Sequence, residues 1–299
     1  MTLERLDDAA AVERWSRTRR AARRTLGFVP TMGALHEGHL TLVRRALESE
    51  GVCAVSIFVN PLQFDDSADL ARYPRDFERD AELLERAGAS LVFTGTLASF
   101  FGTDDPKRVE REVPGPAARV LEGASRPGHF DGVATIVRRL FELVRPTRAF
   151  FGEKDFQQTL VVRSVAERLG FPAIEVVPTV REPDGLALSS RNARLDAAGR
   201  ERALALSRGL FAARAAWRAG ERVAAPLAAL LRAPLDAAAL DVEYAVVRDP
   251  ERFIEVPAPD GALERARALV AAFVDAPGGR VRLIDTLELS STPSPSGTP

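Results

Sequence analysis

The chain has 299 residues, 46% hydrophobic and 28% charged, with a net charge of -1: long for one ordinary domain and balanced like a globular protein. That balance excludes a nucleic-acid partner held by bulk charge, though not a small anion held by a local cluster of donors. A single cysteine excludes an intrachain disulfide and a Cys-rich zinc site.

Arg14 to Arg24 is basic but too polar for a signal peptide, and no run reaches ~20 apolar residues. No membrane association is expected, and the cytoplasm is the expected compartment. Thr25–Pro30 reads as a strand and Leu40–Glu48 as a helix, with Leu40, Val43 and Leu47 on one face. Val52–Val59 is a continuous β-branched run, as in a strand covered on both faces, and places Cys53 in the core. Arg75–Ala87 is helical, Ser90–Thr94 a strand, Asp131–Val144 a helix, Arg148–Phe151 a strand, Asp155–Leu169 a helix and Ile174–Val180 a strand. Repeated β-α-β units predict a doubly wound, parallel, Rossmann-like α/β sheet, which binds ligands beyond its carboxyl strand ends.

The character changes near Pro183–Asn192. Asp196–Gly220 is helical, and Leu240–Val247 is strand-like. Arg267–Val274 and Arg280–Leu287 flank Pro277-Gly278-Gly279 as a hairpin. The expected domains are residues 1–185, Rossmann-like, and residues 186–289, a smaller α+β domain. Residues 290–299, all Ser, Pro, Thr and Gly, are expected to be disordered.

All three histidines lie in motif-like segments: His36 and His39 in Pro30–His39, and His129 in Arg126–Gly132. A zinc-protease helix needs His-Glu-x-x-His, but the fifth position here is Leu40, so the spacing excludes that reading and no metal ligands are assigned. A three-residue spacing at a helix start puts both imidazoles where free N–H groups and the dipole favour an anion. Gly33 and Gly38 would let a phosphate approach the backbone. The alternative is two surface histidines on an ordinary strand–helix turn. Of 41 basic residues only Lys107 and Lys154 are lysines. Lys154 falls at the mouth of a strand in Phe151-Gly-Glu-Lys-Asp155, whereas Lys107 reads as a solvated loop charge.

The His36-Glu-Gly-His39 turn resembles the His-x-Gly-His signature of class I nucleotidyltransferases and aminoacyl-tRNA synthetases. Arg181–Asn192, with Ser189, Ser190 and Arg191, resembles their second, phosphate-closing loop. A helix cap is the other reading of those serines. Six segments in order then resemble the pantothenate synthetase (pantoate–β-alanine ligase) family: Val29–Leu40, Ser56–Phe64, Arg72–Asp76, Arg126–Val133, Phe151–Gln158 and Asp184–Asn192. One departure is Leu188, where the family usually has methionine before the paired serines; the swap is close to volume-conserving.

That resemblance implies an ATP-dependent ligase that joins pantoate to β-alanine through pantoyl adenylate, releasing pyrophosphate and then AMP. It implies ATP contacts from Met32, Gly33, Ala34, Leu35, His36, Glu37, Gly38 and His39, from Gly152, Glu153, Lys154 and Asp155, from the Val180 backbone, and from Leu188, Ser189, Ser190 and Arg191. His36, His39, Lys154, Ser189, Ser190 and Arg191 would carry the catalysis. Gln63 and Gln158 would hold pantoate, with Asn60, Tyr73, Arg126 and His129 as further substrate-binding candidates. Tyr73 and Phe64 also read as simple packing, and Asp76 and Glu122 as solvated or capping carboxylates. Mg2+ would accompany ATP, held largely by phosphates and water. A homodimer is the family's usual assembly. A plain nucleotidyltransferase would share the histidine turn and the serine loop but not the paired glutamines. A non-catalytic nucleotide-binding module is the third reading, for which His39→Ala would leave ATP turnover at its background rate.

Overall fold

The computed structural model describes residues 2–65, 67–258 and 260–290. The tail expected to be disordered lies outside them beyond Ser290. The chain forms two compact units, one up to Val180 and one from Arg181 onward.

The first unit contains, in chain order, β1 (Glu4–Leu6), α1 (Ala9–Ala21), β2 (Gly27–Thr31), α2 (Glu37–Glu50), β3 (Cys53–Ile57), α3 (Ser67–Arg72), α4 (Phe77–Ala87) and β4 (Leu91–Phe93). It continues with α5 (Leu97–Phe101), α6 (Glu122–Ser125), α7 (His129–Val144), β5 (Arg148–Gly152), α8 (Phe156–Leu169) and β6 (Ala173–Val177). All six strands are parallel, in the order β1-β4-β3-β2-β5-β6. The chain runs outward from β2 through β3 and β4, then returns to place β5 on the other side of β2. The order therefore switches direction between β2 and β5, where such sheets bind ligands beyond their carboxyl ends.

Alternation along the strands builds a core on each face. Phe28, Ala54, Phe93 and Phe151 pack with Val12 and Trp15 of α1, Phe141 of α7 and Val162 of α8. Val29, Val55, Val92 and Phe150 pack with Val43 of α2 and Leu84 of α4. Cys53 is buried in this second layer, and burial pushes its thiol pKa up, so it is an inert core group.

The sequence did not announce β1 or α1. Only Ala9, Val12, Trp15 and Ser16 of α1 are buried, so its apolar stripe is thin. The helix is set by Asp8, whose carboxylate accepts from Ala10 N at 3.3 Å and Ala11 N at 2.8 Å, and by Ser16, whose hydroxyl donates to Val144 O.

The second unit contains α9 (Ala197–Arg218), α10 (Ala224–Ala237), β7 (Asp241–Arg248), β8 (Arg267–Ala276) and β9 (Gly279–Glu288). The three strands form an antiparallel sheet with β8 in the middle. Ala268, Val270, Ala272 and Val274 of β8 share a core with Leu206 and Leu210 of α9 and Leu227, Leu231 and Leu235 of α10. Helix α10 is hidden in the sequence because its stripe is interrupted by Pro226 and Pro234. Pro226 stands in the first turn, where its missing N–H has no partner to lose. No helix among the described residues is long and apolar enough to cross a membrane.

Candidate active site

The turn after β2 is built on left-handed backbone. Gly33 has φ +84° and Ala34 has φ +51°, which reverses the chain between the strand and α2. This turn is held from below by α4. Asp80, 1% exposed, accepts from Leu35 N at 2.9 Å through Oδ1, while Arg79 Nη1 donates to Leu35 O at 3.4 Å. Burial pushes the Asp80 carboxyl up, against the pull of the Leu35 and Ala34 N–H groups. Sequence reasoning missed Asp80. The signal was present, since Phe77, Asp80, Ala81 and Leu84 share the inward face of α4, and a carboxylate in that stripe needs a reason.

The helix pattern from Leu40 starts three residues earlier, at Glu37, because His36 caps it. His36 Nδ1 accepts from Gly38 N at 3.2 Å, and His39 Nδ1 accepts from His36 N at 3.3 Å. The ring centroids are 4.1 Å apart. Each Nδ1 is thus used as a lone pair, so each neutral ring carries its hydrogen on Nε2. Desolvation foremost, with the nearby Lys154 charge adding to it, holds His39 well below 6.5. His39 is therefore a neutral hydrogen-bond donor at neutral pH. Lys154 comes from the other side of the switch point. It lies in the short 3-10 turn Glu153–Asp155 that follows β5, with Nζ 3.2 Å from an Asp155 oxygen. The His36, His39 and Lys154 side chains form one cationic and donor-rich rim at the strand ends. Among the described residues no group of three or more His, Cys, Asp or Glu side chains is placed to hold a metal ion.

Gln63 ends the 3-10 turn Pro61–Gln63 after β3. Asn60, 1% exposed, has Oδ1 accepting from Leu62 N at 3.2 Å and Nδ2 donating to Gly132 O at 3.1 Å and Gln63 Oε1 at 2.9 Å. The side-chain amide of Gln63 then lies with Nε2 3.0 Å from Met32 Sδ. Gln63, oriented by Asn60, thus meets Met32 of the histidine turn. Gln158 is half-buried in the first turn of α8. Its neighbour Gln157 is a residue that sequence reasoning missed. Gln157 is buried, and its amide donates to Ala117 O at 2.7 Å and Val120 O at 2.6 Å and accepts from Glu122 N at 3.2 Å.

His129, 8% exposed, and Arg126 pack beneath Gln63. Burial first, then the nearby Arg126 charge, lower the His129 pKa to about 4. Glu122, expected to be solvated or capping, is buried instead, with Oε1 3.0 Å from Arg126 Nη1. Asp76 caps α4 by accepting from Arg79 N at 3.1 Å. The Phe64 and Tyr73 rings meet edge to face at 5.8 Å. Lys107 is exposed beside Pro106 in a short 3-10 turn.

Arg181–Asn192 belongs to the second unit and has its own frame. Glu182 N donates to Leu186 O at 2.8 Å, and Gly185 at the hairpin tip has φ +94°. Arg200 of α9 donates to Glu182 Oε2 at 2.7 Å and Asp184 Oδ2 at 2.6 Å, and Asn192 Nδ2 donates to Glu182 Oε1 at 3.0 Å and Ala187 O at 3.0 Å. Ser189 caps the 3-10 turn Ser190–Arg194, accepting from Arg191 N at 3.2 Å. Leu188, Ser190 and Arg191 are half-buried beside it. Val180, the last residue of the first unit, is half-buried as well.

The family model described as Pantoate-beta-alanine ligase matches residues 4–288. The pantothenate synthetase of Magnetococcus marinus is 46% identical over 299 residues, covering 99% of each chain. That of Mycolicibacterium smegmatis is 50% identical over 285 residues, covering 94% of this chain and 85% of its own length. The crystal structure of pantothenate synthetase from Thermus thermophilus superposes with a TM-score of 0.84 at 43% identity, over 96% of this chain and 99% of the other. The structure of pantoate-beta-alanine ligase from Francisella tularensis, complexed with beta-gamma ATP and β-alanine, has a TM-score of 0.76 at 28% identity, over 98% of this chain and 100% of the other.

Proposed function

The chain belongs to the pantoate–β-alanine ligase family, and from that premise we infer how its residues condense pantoate with β-alanine using ATP. The observation that carries the residue assignment is the meeting of His36, His39 and Lys154 at the β2/β5 switch point. ATP lies along Met32–His39 and Gly152–Asp155, its phosphates facing those three side chains. A pantoate carboxylate oxygen attacks the α-phosphorus, the bond to the β-phosphate oxygen breaks, and pyrophosphate leaves. The neutral amine of β-alanine then attacks the acyl carbon of the adenylate, AMP leaves, and the amine sheds a proton to complete the amide.

The chemical demand is to bring two anions together and to stabilise charge on a pentacoordinate α-phosphate. Neutral Nε2–H donors from His36 and His39 and the Lys154 ammonium meet that demand without moving a proton. Gln63 and Gln158 hold pantoate, with Asn60 orienting Gln63 and Tyr73 bordering the same pocket. Ser189, Ser190 and Arg191, with the Leu188 and Val180 backbone, complete the nucleotide contacts. Nucleotide and pantoate binding is assigned in the same proposal to the Rossmann-like domain, read from sequence as residues 1–185 where the first compact unit ends at Val180, with residues 186–289 as the smaller lid domain. Magnesium would accompany the nucleotide, held largely by phosphates and water, and would supply charge neutralisation on the triphosphate. Family membership also supports a homodimer in the cytoplasm, which sedimentation and cell fractionation would check.

Exchange of labelled pyrophosphate into ATP tests the reading. Exchange should require pantoate, and AMP release should require β-alanine; AMP formation independent of β-alanine would overturn the ligase assignment. His39→Ala should lower the exchange rate by about 10²-fold or more, as for other removed charge-stabilising donors.

A further inference from the structure

Two side chains of one segment, Arg126 and His129, converge on one backbone carbonyl. Gln63 O lies 2.7 Å from His129 Nδ1 and 3.4 Å from Arg126 Nη2. Arg126 Nη1 lies 3.3 Å from His129 Nε2 and 3.0 Å from Glu122 Oε1, and Arg126 Nε and Nη2 donate to Asp65 Oδ1 at 3.2 and 3.1 Å. The chemistry of the partners assigns the His129 tautomer. A carbonyl only accepts, so Nδ1 carries the hydrogen; a guanidinium only donates, so Nε2 offers its lone pair. Arg126, which donates to the Glu122 and Asp65 carboxylates that hold it, thus also donates to His129, and His129 as a neutral link donates on to Gln63 O. Both of its ring nitrogens are engaged inside the protein.

The same turn is gripped at two further points. Arg111 Nη1 donates to Leu62 O at 2.8 Å. Gly132 brings α7 so close that a Cβ there would stand 2.0 Å from Leu62 O and 2.7 Å from Gln63 N. Asn60 has its own orientation set by Leu62 N and Gly132 O, and so fixes Gln63 with Oε1 inward. Gln63 is left able to offer only its Nε2 hydrogens outward, toward Met32. A fixed donor suits an acceptor on the ligand, such as the carboxylate or a hydroxyl oxygen of pantoate.

We propose that Arg126 and His129 are positioning residues that lock the Pro61–Gln63 turn so that Gln63 meets pantoate as a hydrogen-bond donor. The proposal rests on the reading that Gln63 binds pantoate. A residue that acts only through Gln63 has no effect once the Gln63 amide is gone, whereas a residue that touches substrate retains one. The test measures pantoate and ATP KM in the full-length enzyme for Gln63→Ala, His129→Ala, His129→Asn and the double variant Gln63→Ala with His129→Ala. His129→Ala should raise the pantoate KM roughly 10-fold, as for a lost hydrogen bond of ordinary strength, with the ATP KM within about twofold of the parent. His129→Asn places an amide donor where Nδ1 stands and should restore most of the loss. The double variant should match Gln63→Ala alone. Equal losses for His129→Ala and His129→Asn, or additive losses in the double variant, would show direct substrate contact and overturn the proposal. A normal pantoate KM in His129→Ala would also overturn it, and should His129→Ala fail to fold, His129→Asn decides by the same pantoate KM. A normal pantoate KM in Gln63→Ala would instead remove the underlying reading of Gln63.

Discussion

Asp80 gives the residue scale its clearest energetic question. Its carboxylate faces away from solvent, and only Oδ1 is matched by donors. Replacement by alanine strands the Leu35 N–H, which should destabilise the protein by about 1–3 kcal/mol and loosen the Gly33–Ala34 reversal. Thermal unfolding together with the ATP KM would register both effects, and Asp80→Asn, which keeps an acceptor, should show the smaller change in each. His129 adds a pH dependence. Its pKa of about 4 in the folded state lies below the ordinary value of 6.5, so the unfolded chain takes up a proton first as the pH falls. The stability it supports is whole above pH 6.5, declines between pH 6.5 and 4, and falls no further below that, a total of at most about 3 kcal/mol. His129→Asn should flatten the unfolding free energy across that window relative to the parent.

At the scale of elements, α7 and the Pro61–Gln63 turn behave as one body because Gly132 leaves no room between them. Gly132→Ala forces a methyl group onto Leu62 O, so α7 or the turn must move. A destabilisation of about 1–3 kcal/mol or more is expected, with a rise in pantoate KM. A variant as stable as the parent, with unchanged KM, would show that the contact gives way freely. The histidine turn was legible in sequence because glycine, histidine and a following apolar periodicity are local signals. The partners of Gln63 were not, since Arg126 and His129 stand more than sixty positions away and nothing local says which carbonyl they meet. The β8–β9 hairpin could be read from Pro277-Gly278-Gly279. Helix α10 could not, because two prolines masked the Leu227, Leu231, Leu235 stripe.

For the whole molecule, the doubly wound sheet followed from β-branched strands alternating with amphipathic helices, and the switch point then marked where to look. Strand order itself was not legible, since it depends on long-range pairing such as Gly27 with Arg148. Each unit has its own core, which supplies a test of energetic separation. Leu231→Ala should remove about 2–5 kcal/mol from the second core. Hydrogen exchange should then quicken in β7–β9, α9 and α10, with amides of β2, β3 and β5 unchanged. Uniform quickening over both units would show that they open together.

The imidazole cap on α2 has one more consequence. Because each Nδ1 is occupied by a backbone N–H, protonating either ring at that atom would dismantle the first turn of the helix. Acid inactivation should therefore begin as end-fraying of one helix, visible as line broadening at Gly38 and His39 amides before any global change. An enzyme built this way writes its acid limit into its secondary structure.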